Sequence, residues 1–324
     1  MSAVDTGSRI TGRRLTSDAF EVHRPALLGY CYRMLGSAAD ADDAVQETMV
    51  RAWRSLDSFE GRGPVEAWLY RIATNVCLNL LRGRGRRALP MDVSDVSPAT
   101  AGLGRARGAE AWVEPIPDRL VTHPDADPGE VAATRESVRL AFVAALQLLP
   151  PRQRAVLILR DVLRWKAEEV ATLLGTSVAS VKSALQRARA TLAAHPTGPA
   201  APVDRALLDR YLDAFGRYDV DALVRLLHED VTLSMPPYDL WLRGPDQVRA
   251  WLAGRGGECA GSLLVPIEVN GTLGFTQHRR TGPGGSPEPF AVTAIEGVGG
   301  LVTAVHAFLD PAGVARFELP PPSV

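Results

Sequence analysis

The sequence predicts a three-part chain, with two all-α units followed by one α+β unit. Residues 18–89 and 131–194 carry helical periodicity, whereas 90–130 and HPTGPAAP break it with Pro, Gly and Asp. From residue 204 the pattern turns to helices followed by short β-rich runs between glycines. A length of 324 residues agrees, since it exceeds one ordinary core and favours two or three domains.

The bulk numbers narrow the function classes. Hydrophobic content of 46% with 23% charged residues is that of a soluble globular protein, and no apolar run approaches the roughly 20 residues of a membrane span. The opening MSAVDTGSRITGRR has no apolar signal core, so a cytoplasmic protein with no membrane partner is expected. Cys31, Cys77 and Cys259 are odd in number and far apart in apolar settings, which fits reduced core thiols and leaves no metal or cofactor site expected. The net charge of -1 gives no global footprint for nucleic acid, but charge is segregated locally.

Residues 1–17 read as a disordered, mildly basic tail. The first block, 18–89, includes DADDAVQETMVRAWRSLDSF, where Asp40, Asp42, Asp43 and Glu47 form an acidic patch. Such a patch repels DNA and suits a protein interface. The alternative is a solvated acidic helix start, favoured by the helix dipole. Then comes WLYRIATNVCLNLLRGRGRR, residues 68–87. On a helical wheel Leu69, Ala73, Val76, Cys77 and Leu80 form a buried stripe. Arg71, Asn75, Asn79, Arg82 and Arg86 gather on another face, with Trp68 at its end. Guanidinium and carboxamide groups suit phosphates and base edges, and an aromatic beside arginines suits a grip on unwound strand. Gly83 and Gly85 let the arginine run leave helical geometry and follow a phosphate track. A solvated face with one partly covered indole is the alternative.

The linker 90–130 is net acidic, with Asp92, Asp95, Glu110, Glu114, Asp118, Asp125, Asp127 and Glu130 against Arg105, Arg107 and Arg119. In the second block, 131–194, the stretch EEVATLLGTSVASVKSALQRARA spaces Ala171, Gly175 and Val181 as a helix-turn-helix does. Ala171 is small where two helices cross, Gly175 suits the turn, and Val181 docks the second helix, which Thr176 or Ser177 would cap. Val181, Leu185, Ala188 and Leu192 would face inward, leaving Lys182, Ser183, Gln186, Arg187 and Arg189 outward as base- and phosphate-contacting groups. An ordinary helical hairpin with a cationic face is the alternative.

Together, DADDAVQETMVRAWRSLDSF, WLYRIATNVCLNLLRGRGRR and LPPRQRAVLILRDVL followed by the helix-turn-helix resemble a bacterial RNA polymerase sigma factor of the extracytoplasmic-function type, over residues 18–194. The resemblance implies a region 2 helical domain that binds core polymerase and the minus-ten promoter element. It also implies a region 4 helix-turn-helix domain for the minus-thirty-five element. By motif position it implies core-polymerase contacts at Asp43, Gln46 and Glu47. It places minus-ten capture at Trp68 and Asn75 with the loop FEGRGPVEAW, and minus-thirty-five reading at Lys182, Ser183, Gln186 and Arg187. The acidic linker resembles the segment that threads the polymerase's RNA exit path, with a plain solvated tether as the alternative.

After a short linker, 195–203, residues 204–318 resemble a SnoaL-like domain of the NTF2-like cone fold, through MPPYDLWLRGPDQVRAWL and LVTAVHAFLDP. The resemblance implies a pocket that Tyr238, Trp241, His278 and His306 would line, although a histidine on an apolar strand also suits a satisfied core position. The residues offer no acid/base pair. The expectation is a non-enzymatic sigma factor regulated in cis by its last domain, with an anti-sigma factor or a small ligand as further partners. The competing class is a polyketide-cyclase or isomerase-like enzyme fused to a DNA-binding module, and a helix-turn-helix repressor stands third.

Overall fold

The computed structural model describes residues 18–56, 64–195, 201–280, 282 and 285–318. The tail 1–17, the first half of FEGRGPVEAW and most of HPTGPAAP lie outside them.

Helices α1 (Asp18–Glu21) and α2 (Arg24–Leu35) lead to Gly36, whose φ of 69° ends α2 in a left-handed cap. Ser37 then starts α3 (Ala38–Arg54) by accepting the Asp40 N–H at 3.0 Å. Helix α4 spans Val65–Leu80 and buries Leu69, Ala73, Val76 and Cys77 as the wheel requires, with Leu80 half-buried. Tyr30 on α2 and Thr74 on α4 share a buried hydrogen bond of 2.7 Å.

The next stretch has the short helix α5 (Asp118–Val121) and then α6 (Pro128–Ser137), α7 (Leu140–Leu146) and α8 (Pro151–Leu157). Helix α8 widens into a π-helical turn at Ile158–Val162. Helices α9 (Ala167–Leu174) and α10 (Val178–Ala193) flank Gly175, whose φ of 60° makes the sharp turn, and Ser177 caps α10. Ala171 and Val181 are buried at the crossing.

The two helical units share one apolar core. Trp165 sets its ring edge-on to Tyr70 at 5.2 Å. Arg33 donates to Ser137 Oγ at 2.6 Å, and Arg154 donates to the Met34 carbonyl. Neither arginine has a carboxylate partner in these contacts, and burial pulls each guanidinium down to about 10.

The last part begins with β1 (Ala201–Pro202), α11 (Arg205–Gly216), α12 (Val220–Arg225), β2 (Leu227–Ser234), β3 (Trp241–Arg243) and α13 (Pro245–Ala253). It continues with β4 (Leu263–Val269), β5 (Thr272–Arg280), β6 (Pro287–Val298), β7 (Leu301–Phe308) and α14 (Pro311–Glu318). The sheet runs β3-β2-β7-β6-β5-β4, antiparallel except for the parallel pair β2 and β7, and β1 pairs with β6. Helices α11, α12 and α13 contribute to a second core under the sheet. The amphipathic stretch VDALVRLLHEDV divides between helix and strand: α12 stops at Arg225, and Leu227, Val231 and Leu233 bury as strand residues because β7 supplies a parallel partner.

The stretch 90–130 is docked, not a solvated tether. Ser94 Oγ donates to the Asp239 carbonyl at 2.7 Å, and the Trp241 indole N–H donates to the Ser94 carbonyl at 3.0 Å. The Ala99 N–H reaches Gln247 Oε1 at 2.8 Å, and Arg107 pairs with Asp239 at 2.7 Å. Its distal half, with Trp112, Val113 and Ile116 buried, runs between the helical units and the sheet.

Candidate nucleic-acid and polymerase interfaces and the domain junction

On α4, Arg71, Asn75 and Asn79 are exposed, and Trp68 is half-buried with its ring 6.0 Å from Phe20. Arg82 and Arg86 are exposed just beyond the helix, where Gly83 at φ 73° turns the chain away from helical geometry. The other two arginines of the run are held by a carboxylate, Arg87 buried and Arg84 at the surface. Arg84 and Arg87 both bind Asp40, at 2.7 and 2.8 Å, and Arg87 also donates to the Trp112 carbonyl at 2.7 Å. The four arginines therefore do not form one phosphate grip, because two of them neutralise the acid at the start of α3.

That pairing also removes Asp40 from the acidic patch. Asp43, Gln46 and Glu47 remain exposed on α3, with Glu47 held by Arg51 at 2.6 Å. Val50 (42% exposed) and Trp53 (57% exposed) continue this stripe, so the surface is acidic at one end and apolar at the other. The helical offsets of seven from Gln46 and ten from Asp43 could have located Trp53 in the sequence.

On α10, Lys182, Ser183, Gln186, Arg187 and Arg189 all face solvent. Arg187 donates to Ser183 Oγ at 2.6 Å. Arg189 makes two bonds to Asp161, at 2.8 and 2.6 Å, which tie α10 to the π-helical turn and make it the least available of the five.

The four residues expected to line a pocket in the last domain do not converge on the cavity inside the cone. That cavity is lined instead by Tyr211, Phe215, Trp251 and Phe275 among others. Trp241 is engaged with Ser94, and Tyr238 sits in the turn after Met235 with its N–H on the Met235 carbonyl at 3.0 Å. His278 meets Glu318 at 2.6 Å. His306, 4% exposed, has Nδ1 at 2.9 Å from Ser234 Oγ, and burial lowers its pKa. It faces a different cavity, between this domain and α7. Each side chain is used where its strand or turn places it, so residue type alone misled. Among the described residues no cluster of His, Cys, Asp or Glu has metal-binding geometry, and no helix is long and apolar enough to cross a membrane.

The junction of the three parts centres on the β4–β5 hairpin tip, whose Asn-Gly pair marks a tight turn but not what the turn docks against. Asn270 (φ 49°) and Gly271 (φ 71°) both take the left-handed conformation of a tight two-residue turn. Asn270 is 1% exposed. Its Oδ1 accepts the Ile116 N–H at 2.9 Å, while Nδ2 donates to Tyr32 Oη at 2.7 Å and to the Val138 carbonyl at 2.6 Å. One side chain thus joins α2, the docked linker and the start of the second helical unit. The Gly271 N–H donates to Asp118 Oδ1 at 2.8 Å, and a Cβ at Gly271 would lie 2.1 Å from the Arg135 carbonyl oxygen. Burial pushes the Asp118 carboxyl up to about 6, against the pull of the Gly271 N–H and Arg135. Arg135 also pairs with Glu268 at 2.9 Å, and Arg139 with Glu296 at 3.2 Å.

Comparison with known proteins assigns these parts. Residues 19–87 match Sigma-70 region 2, 139–192 match Sigma-70 region 4, and 208–314 match the SnoaL-like domain. The chain is 42% identical over 312 residues to ECF RNA polymerase sigma factor SigG of Mycobacterium tuberculosis, covering 93% of this chain and 82% of that one. It is 31% identical over 245 residues to SigJ of the same organism, covering 72% and 71%. The crystal structure of Mycobacterium tuberculosis SigJ superposes with a TM-score of 0.63 at 26% identity, covering 94% of this chain and all of that one. With helical regions 2 and 4 ahead of an α+β cone, the chain belongs to the ECF RNA polymerase sigma factors and carries a C-terminal SnoaL-like domain.

Proposed function

We propose that this sigma factor binds core RNA polymerase through the α3 face of Asp43, Gln46 and Glu47, extended by Val50 and Trp53. The face of Trp68, Arg71, Asn75, Asn79, Arg82 and Arg86 captures the opened minus-ten strand. Lys182, Ser183, Gln186 and Arg187 read the minus-thirty-five duplex, with Arg189 mainly holding α10 in place. Exposure of the polar groups in these faces supports the assignment, as does the lack of any acid on the α4 face. The protein acts in the cytoplasm with the polymerase, and an anti-sigma partner would compete for the same exposed faces. The SnoaL-like domain performs no chemistry in this reading, since its two most buried histidines are engaged by Ser234 and Glu318.

The SnoaL-like domain regulates in cis, and the Asn270 bonds carry this reading. Both DNA-reading faces stay open in the packed form, so the domain does not act by covering them. It acts by fixing the separation of regions 2 and 4, which must adjust to the spacing of two promoter elements. Gly271→Val in the full chain should undock the hairpin tip and raise transcription from a cognate promoter in vitro by about threefold, a shift of under 1 kcal/mol. Unchanged output would reject regulation through this contact.

A further inference from the structure

Regions 2 and 4 close a pocket of about 160 Å³ between them, lined by no described residue of the SnoaL-like domain. Region 2 supplies Asp40 from the start of α3 and Arg84, Gly85, Arg86 and Arg87 from the turn after α4. Region 4 supplies Gln147 and Arg154, and the linker adds Glu110. Four arginines against two carboxylates leave this lining with a surplus of two positive charges. Glu114, 3.6 Å from Arg87 and outside the wall, still leaves a surplus of one. The carboxylates are spoken for. Asp40 is shared between Arg84 and Arg87, and Glu110 is exposed and curls back over Gly108, where a Cβ would lie 2.3 Å from its oxygens.

Arg154 is the deepest of the four cations, at 4% exposed. Its Nη1 donates to the Met34 carbonyl and to Gln147 Oε1, and its Nη2 to the carbonyls of Gln147 and Leu149 at 3.2 and 3.1 Å. All four acceptors are neutral, and the Nε–H is buried with no partner. A buried guanidinium in this condition gains more from an approaching anion than from any neutral ligand. A phosphate group matches the site in charge, and its oxygens suit the fork of a guanidinium. The pocket's size admits one or two such groups, which favours a free phosphate compound over a nucleic-acid backbone. We propose that this pocket binds the phosphate group of a small molecule, which bridges Arg84 and Arg87 of region 2 to Arg154 of region 4. The bound anion fastens the two regions in their packed arrangement, since it binds that arrangement alone. This latch lies inside the sigma regions and is separate from the Asn270 contact.

The test uses the full chain with inorganic phosphate, pyrophosphate and ATP as probes, at constant ionic strength set with chloride. Calorimetry should show saturable binding of at least one probe at one site per chain. Tightest binding of inorganic phosphate or pyrophosphate would identify a free anion as the ligand, and tightest binding of ATP a nucleotide. Arg84→Gln should weaken it about tenfold, as the loss of one charge-assisted contact requires. Arg82→Gln, outside the pocket, should leave it unchanged. Gly85→Glu should abolish it, because it sets a carboxylate at the wall where a Cβ meets nothing within 4 Å and folding is spared. In the wild type, bound phosphate should slow amide exchange several-fold in residues 33–36 and 147–151, and in Gly85→Glu it should not. Absence of saturable binding, equal weakening by Arg82→Gln and Arg84→Gln, or binding that survives Gly85→Glu would overturn the proposal. So would bound phosphate that leaves exchange on either side of the pocket unmoved, or a single-stranded oligonucleotide that binds the pocket when none of the three probes does. None of these readouts involves transcription, so they stand or fall apart from the Gly271→Val test.

Discussion

The side chains of Asn75 and Asn79 on α4 stand exposed with no hydrogen bond to the rest of the protein among the described residues, whereas Asn270 at the β4–β5 tip is 1% exposed and binds three segments at once. The arginines repeat the contrast within six residues, since Arg82 faces solvent while Arg87, 8% exposed, is bonded to Asp40 and to the Trp112 carbonyl. Polar groups with no internal partner are free for DNA or polymerase. Those with every bond made inside hold the domains together. Substitutions at the first kind should therefore change transcription and spare stability, and those at the second should do the reverse or couple the two.

The largest separation should come from the asparagines. Asn270→Ala orphans the Ile116 N–H and takes a donor from the Val138 carbonyl, while the Tyr32 hydroxyl keeps its bond to the Glu114 carbonyl at 2.7 Å, and at about 1–3 kcal/mol per buried group the expected loss is about 2–5 kcal/mol in urea unfolding. Asn75→Ala should stay within about 0.5 kcal/mol. Comparable losses in both would erase the distinction. Next, Arg87→Ala should cost about 2 kcal/mol of stability through its lost bonds. Arg82→Ala should cost almost none and instead lower the salt dependence of promoter binding by about one phosphate contact. On α10, Arg187→Ala should weaken minus-thirty-five binding by about 1–3 kcal/mol in a holoenzyme gel shift without moving the unfolding midpoint.

The smallest effect concerns pH. The Asp118 carboxyl is raised by burial from 3.8 to about 6 in the docked form, so docking favours its protonated state. Its contribution is full below the ordinary carboxylate value and lost as pH rises through about 6. Amide exchange at the junction should therefore report docking weaker by about 1–2 kcal/mol at pH 7 than at pH 4. Asp118→Asn should flatten that slope, and a slope that survives would place the titrating group elsewhere.

The contrast also explains what the sequence disclosed. The α4 and α10 faces repeat at helical spacing, so Arg71, Asn75 and Asn79, and Lys182, Gln186 and Arg187, could be assigned to surfaces from their intervals alone. Asn270 could not, because Tyr32 lies 238 residues away and Val138 lies 132 away, and nothing local distinguishes its turn from a solvent-exposed hairpin. Strand β5 was illegible for a related reason. Its TLGFTQHRR buries Thr276, Gln277 and His278, and only neighbours on both sides make such residues a strand. Tyr238, Trp241, His278 and His306 have the chemistry of pocket residues without sharing one place in the fold, whereas Tyr211, Phe215, Trp251 and Phe275 converge by topology.

In the proposed form of regulation the hairpin tip holds regions 2 and 4 at one separation. A pulsed electron-spin distance measurement tests it directly, with labels at Arg54→Cys on α3 and Ala190→Cys on α10, both exposed, in a Cys259→Ser background. One narrow distance distribution is expected with Gly271 intact and a longer, broad one in Gly271→Val. The same narrow distribution in both proteins would contradict it.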